Sequence, residues 1–438
     1  MLAAAGVPVA VRLQTMVKSF IGASVAVFGL LLVSLAIAVL TKIPVILWLE
    51  LTRSLAPSCV QPLPSDVPQN AGALVTLNVR RDGSGREFAI PASDWNATVS
   101  ARLASSTERQ RDLVVYVHGF NTSGEDARCV GEMLRIDLAG LPQYQGGEGP
   151  DVLVFVWPSE FGFGFSTAQA NAGVAGSYLA PIIGQTPHRT RYLVAHSLGS
   201  KVVMEAMSAL PGSGDGHRIE GVLLAGGAIP ATSIRTWSYT LRNRFPAAEV
   251  WSRSLADARP IEEKGGGIGE YVVAASRARH LVVTISGGDT VLDQAYSVDE
   301  LIAADGKNRP LVPPWPGTAP RTLPQNLAVG SPFPQSPIHG RFDHELKDPT
   351  AQYGTNANAP YSQTVPPMLR TPDPTRVLQS TEWTFDFQVP HSSFHEVRLD
   401  EGSWRPLYYW HGLLTDSQMR RELLSRAWAI FARSDTPK

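Results

Sequence analysis

Taken as hydrophobic and polar positions alone, the chain opens on a long uncharged run. It then settles into short apolar segments separated by helix-like ones. From Ser19 to Thr41 the run SFIGASVAVFGLLLVSLAIAVLT carries no charge and is bracketed by Lys18 and Lys42. As a helix it covers roughly 34 Å against a hydrocarbon core of about 30 Å, which predicts a transmembrane anchor. A secretory signal is the rival reading, but its apolar region is usually about 7–15 residues, with no second run such as IPVILWLEL behind it. Cys59 in SLAPSC adds lipoprotein processing as a minor option. Arg12 and Lys18 precede the run while Lys42 and Arg53 follow it, so charge sets the orientation weakly. An N-in anchor with the body outside the cytoplasm is the preferred arrangement.

Residues 1–18 then form a tail, 19–41 the anchor, 42–72 a juxtamembrane segment and linker rich in Pro, Ser and Gln, and 73–438 the main domain. LVTLNVRRDGSGREFAIPASDW reads as two strands around a DGSG turn. LVVYVHGF (113–120), DVLVFVWPS (151–159), RYLVAHS (191–197), IEGVLLAGGAI (219–229) and RHLVVTISGGD (279–289) are almost wholly apolar and β-branched. Strands buried on both faces have that character. Between them, EDARCVGEMLRIDLAG and SKVVMEAMSAL supply crossover helices, so the pattern predicts a mostly parallel sheet flanked by helices. Asp305 to Thr375 breaks the pattern with 15 of the chain's 34 prolines. Proline fixes φ and lacks an amide hydrogen, so this insertion, 305–375, is expected to hold neither long helices nor central strands. TEWTFDFQV (381–389) alternates like one more strand. SQMRRELLSRAWAIFAR closes the chain with Met419, Leu423, Leu424, Ala427, Ile430 and Phe431 at helical spacing.

Composition narrows the function. Among 438 residues, 38 basic and 39 acidic side chains leave a formal charge of -1 without clustering, which excludes an electrostatic case for nucleic acid. Cys59 and Cys129 are the only cysteines, too few for a disulfide framework and not at zinc-ligand spacing. They read as one pair in an oxidising compartment or, equally, as two free thiols. No cofactor and no metal is called for. The His and Asp residues of HGRFDHELKD (339–348) are a poor metal candidate.

The stretch that carries chemistry is RYLVAHSLGSKVVM (191–204). Ser197 ends an apolar strand and a helix follows at once. Ala195 two positions before and Gly199 two after supply the small side chains that a sharp strand-to-helix turn needs. This is a nucleophile elbow with alanine in the first small position. A serine hydroxyl is a weak nucleophile until a base takes its proton and donors stabilise the resulting oxyanion. VHGFNTS (117–123) lies one βα unit earlier, with Gly119 allowing close backbone approach. His118 is expected to be structural and His196 to pack beneath the turn. Trp157 reads either as pocket lining or as packing, and GFGFST (162–167) as a mobile apolar flap. Trp404, Tyr408, Tyr409 and Trp410 are candidates for lipid or substrate contact, with core burial as the alternative.

VVYVHGFNTSGEDA, VFVWPS, LVAHSLGSKVV and a strand ending in SGGDTVL, in that order, resemble the α/β-hydrolase superfamily. The nearest likeness is to a bacterial branch of esterase/lipase-like proteins carrying HGFN, WPS and HSxG. The resemblance covers about Leu74 to Gly306 and the last fifty or so residues. It implies an α/β-hydrolase fold with oxyanion donors at the Phe120 and Leu198 amides. It also implies an acid at Asp289, with Asp293 the weaker alternative, and a histidine after the acid in chain order. His339, His344, His391, His395 and His411 follow Asp289. His411 is favoured because HGLLTD leads into the last helix, as the family presents its base. His391 and His395 stay open.

The expected function is a serine carboxylester hydrolase working through an acyl-enzyme, with an ester or lipid-like small molecule as substrate. A catalytically silent hydrolase fold serving as a membrane interaction module is the rival from another class. An acyltransferase using the same residues is a third reading. The expected location is a bacterial inner membrane, with the domain on the periplasmic side. Sequence leaves the oligomeric state open.

Overall fold

Strand alternation explains the layering. In β2 (Leu113–Val117), Leu113, Val115 and Val117 belong to one apolar cluster while Val114 and Tyr116 belong to another. A strand sends successive side chains to opposite faces, so an uninterrupted apolar run needs a cover on both. The same split holds in β3 (Asp151–Val156), β4 (Arg191–His196), β5 (Ile219–Ala225) and β8 (Ala278–Ile285). With β1 (Leu74–Asn78) and β11 (Phe394–Arg398) these strands form a seven-stranded sheet in the order β1-β3-β2-β4-β5-β8-β11, every pairing parallel.

The computed structural model describes Cys59, Pro62 and most of residues 64–433. It leaves aside 1–58, 60–61, 63, 82–86, 90–110, 161–163, 187–189, 211–218, 245–261, 287–288, 290, 297–327, 330, 332–337, 347–376, 400–410 and 434–438. The expected anchor 19–41 and the aromatic group Trp404, Tyr408, Tyr409 and Trp410 lie outside the described residues. Among those described, no helix is long and apolar enough to cross a membrane.

Helix α1 (Gly124–Ala139) and helix α4 (Ser417–Phe431) cover one face of the sheet; α2 (Phe165–Gln185) and α3 (Gly199–Ala209) cover the other. Ser123 caps α1 by accepting from the Asp126 amide, and Asp416 caps α4 by accepting from Met419. Each cap satisfies a helix-end donor that has no intrahelical partner. Both capping residues end loops that reach the candidate site. Between α1 and α4 the buried Arg420 donates through Nε to Asp137 at 2.6 Å and through a terminal nitrogen to the Leu414 carbonyl at 2.9 Å. Removing one partner of such a pair strands a buried charge, at a cost of about 3–5 kcal/mol.

Sequence reasoning left three features undetermined. A second, antiparallel sheet stands in the order β7-β6-β10-β9, built from β6 (Thr236–Arg244), β7 (Glu262–Ile268), β9 (Ile338–Leu346) and β10 (Val377–Gln388). The run 381–389 belongs to this sheet and not to the parallel one. Strand β9 lies inside the proline-rich insertion; its own nine residues contain no proline, and it holds an edge position in a sheet apart from the core. Of the two readings open for the cysteines the structure has the pair: Cys59 and Cys129 form a disulfide with Cα atoms 5.9 Å apart. It ties the segment ahead of β1 to the middle of α1.

The bridge spans 70 residues of sequence. For a loop of that length the chain-entropy account assigns a stabilisation of about 4 kcal/mol. Urea unfolding of the oxidised protein against Cys59→Ser should show a loss of that order. A midpoint shift near zero would mean the bond constrains nothing in the unfolded chain.

Candidate active site

The carboxyl ends of β2, β4, β5 and β8 converge on Ser197. Its φ of +50° is in the left-handed region, uncommon for a residue with a Cβ. The turn is held from two sides. The Ser197 amide donates to Ala225 O at 2.9 Å, and the Ser197 carbonyl accepts from Ser200 and Ala228 at 3.0 and 3.1 Å. A Cβ on Gly199 would lie 2.4 Å from Val117 O and 2.6 Å from His118 O, so only glycine lets α3 start this close to β2. A Cβ on Gly119 would come within 2.8 Å of the Ser197 Cβ. The two glycines thus bring the serine turn and the 118–122 loop into contact.

Three residues far apart in sequence meet there. His411 Nε2 is 2.9 Å from Ser197 Oγ, and His411 Nδ1 is 2.9 Å from Asp289 Oδ2. Asp289 is buried, and its other oxygen accepts from the Leu292 amide at 3.1 Å, which fixes the carboxylate plane. Gly226, with φ of +56°, passes beside both partners. Neither the Phe120 nor the Leu198 amide donates to a protein acceptor among the described residues. Helix α3, starting at Gly199, points its amino end toward the same spot. Such an end favours negative charge.

The remaining candidates fall elsewhere. His391 Nε2 bonds the Ala278 carbonyl at 3.1 Å, and His395 Nε2 meets Ser393 Oγ at 3.1 Å. The same Ser393 oxygen meets His280 Nδ1 at 2.6 Å. These groups surround the start of β8, the opposite end of that strand from Asp289. The side chains of His339, His344 and Asp293 lie outside the described residues.

His118 and Trp157 form a buried bracket. The Trp157 amide donates to His118 Nε2 at 3.1 Å, and its indole N–H donates to His118 O at 2.9 Å. His118 Nδ1 donates to Gly119 O at 2.9 Å. Trp157 is fully buried, which removes it from the pocket lining and leaves packing. The Phe120 ring instead meets Phe165 edge-on at 5.2 Å, and Phe165 meets Tyr296 at 6.0 Å. Phe165 opens α2, so the described part of GFGFST is helix and not flap. Sequence reasoning missed Tyr296; its only local signal was an aromatic shortly after the acid.

Burial pushes His118 from its ordinary 6.5 to about 3. Below the ordinary value the unfolded chain therefore binds a proton that the fold refuses. The stabilising contribution is complete above pH 6.5 and drains away as pH falls toward 3, reaching about 2 kcal/mol by about pH 5. Urea unfolding at the two pH values should show a smaller acid loss in His118→Gln than in wild type. Equal losses would argue against a neutral buried imidazole.

Comparison with curated proteins finds no match. Residues 94–238 match the family model described as "Alpha/beta hydrolase of unknown function (DUF900)". That stretch contains the 118–122 loop and Ser197, while Asp289 and His411 lie beyond it. Together with the parallel sheet and the serine turn at its centre, the match over this third of the chain supports a likeness to the α/β-hydrolase superfamily.

Proposed function

We propose that the protein is a serine carboxylester hydrolase acting on an ester or lipid-like small molecule through an acyl-enzyme. The observation that carries the reading is the chain of two 2.9 Å contacts from Ser197 Oγ through His411 to Asp289. With Nδ1–H donating to Asp289, the free lone pair of His411 is on Nε2, where it accepts the serine proton. Ser197 Oγ then bonds to the carbonyl carbon while that proton passes to Nε2. The oxyanion accepts from the Phe120 and Leu198 amides. Collapse breaks the bond to the alcohol, which leaves with the proton from His411. Water repeats the sequence, giving the acid and restoring Ser197. The apolar group Phe120, Phe165 and Tyr296 favours an apolar acyl portion.

The Cys59–Cys129 bridge supports an oxidising compartment, where such bonds persist. With the uncharged run 19–41 as an N-in anchor, that compartment is the periplasmic side of a bacterial inner membrane.

A fluorophosphonate should label Ser197 in the folded wild-type protein, identified by peptide mass spectrometry. Ser197→Ala should abolish labelling and lower ester turnover by at least about 1000-fold. An unlabelled wild-type protein with an intact fold would end the reading.

A further inference from the structure

The geometry points to His196 as a positioning residue that holds the base loop in register with the nucleophile. This inference rests on the proposed roles of Ser197 and His411. Strand β4 sends Ala195 and Leu193 to the face covered by α2 and α3, and Val194 to the face covered by α1 and α4. By the same alternation His196 goes with Val194. That is the face on which the segment His411–Asp416 arrives to start α4. Ser197 turns the other way into the site. The residue beside the nucleophile can therefore reach the backbone of the base.

It does so directly. His196 Nε2 lies 2.7 Å from the carbonyl oxygen of His411. A carbonyl only accepts, so His196 carries its proton on Nε2. The two rings stand 5.1 Å apart and tilted. The contact is thus to the main chain of His411, while the imidazole of His411 stays free for Ser197 and Asp289. Among the described residues the loop also turns on itself, the Thr415 and Asp416 amides donating to Gly412 O at 3.0 and 3.3 Å, and Arg420 donates to Leu414 O at 2.9 Å. That tie acts three residues on, at the helix start, and sets the loop's far end. Among the described residues the His196 bond is the one made to the carbonyl of His411 itself. Its partner strand also carries Ser197, so the bond measures base against nucleophile with no intervening loop.

The bond suits a site that must generate positive charge. Burial pushes His196 down to about 4, so it donates as a neutral ring. His411 and Asp289 face it from the site, and His118 lies on the strand β2 side. A charged group at 196 would oppose the imidazolium formed on His411.

Three variants test this with p-nitrophenyl butyrate, each rate expressed per fluorophosphonate-titratable site. His196→Phe keeps the ring and loses the donor. It should lower kcat roughly 100-fold, the scale of a displaced catalytic group, with KM within about twofold. His196→Gln returns an N–H near the original position and should recover kcat to within about threefold of wild type. His196→Asn, whose amide falls short, should behave like phenylalanine and decides the matter if the phenylalanine variant does not fold. Folded donor-free variants with wild-type kcat per site would overturn the inference, as would a glutamine variant no better than phenylalanine. Failure of every variant to fold would overturn it too, since the residue would then serve the fold alone. Absence of labelling in the wild-type protein instead defeats the triad reading before any variant is made.

Discussion

Two missing side chains set the geometry on which the rest of the site depends. Without a Cβ on Gly199, the first turn of α3 sits against the carbonyls of Val117 and His118. Without one on Gly119, the loop after β2 reaches the serine. A methyl group at either place would meet backbone or Ser197 itself, and backbone cannot rotate aside as a flexible side chain can. The close approach brings the loop that holds Phe120 against the serine turn, where Ser197 sits at positive φ. A few kcal/mol of strain at one residue is sustained because the neighbouring sheet over-determines it. The bonds from Ser197 to Ala225, Ser200 and Ala228 are that over-determination.

Distance in sequence is then overcome by packing. Ser197, Asp289 and His411 come from three segments, and each is fixed by something other than the triad. Ser197 has the turn, Asp289 has the Leu292 amide, and the His411 loop has His196 and Arg420. Hydrogen bonds made only among the three residues would leave the arrangement free to shift as a unit against the sheet. Supports anchored in the sheet and in α4 remove that freedom. The buried Arg420–Asp137 pair also couples α4 to α1, and the disulfide couples α1 to the segment before β1.

The parallel core was legible because strands covered on both faces must be continuous apolar runs, here short and rich in β-branched residues. Leu113–Val117 and Asp151–Val156 are of this kind. Helix α2 escaped notice because it is rich in Ala and Gly, shows little contrast between faces and contains Pro181. Strand β7, EEKGGGI, has three successive glycines where strand propensity asks for branched side chains; only its pairing with β6 makes it a strand. The cysteine pair was illegible in principle, since a separation of 70 residues carries no information about approach. The elbow and the His-Gly loop are local, so their residues could be named from sequence. The choice among His391, His395 and His411 was not local, and position before a capped helix was the one usable signal. Coordinates separate them cleanly: His391 and His395 attend the start of β8, and His411 meets Ser197.

Three imidazoles crowd the carboxyl ends of β2 and β4, and burial divides their work. His118 and His196 are held neutral well into acid by loss of solvation, each spending its one N–H on a carbonyl. His411 keeps contact with solvent, with 17% of its side chain exposed, and has a carboxylate behind it. Among the described residues, the ring that meets Ser197 is also the one of the three with a carboxylate at hydrogen-bond distance. Were either of the other two charged, it would repel a positive charge formed on the neighbouring His411 ring. The neutral state of His118 and His196 thus keeps like charge away from the ring that faces the serine.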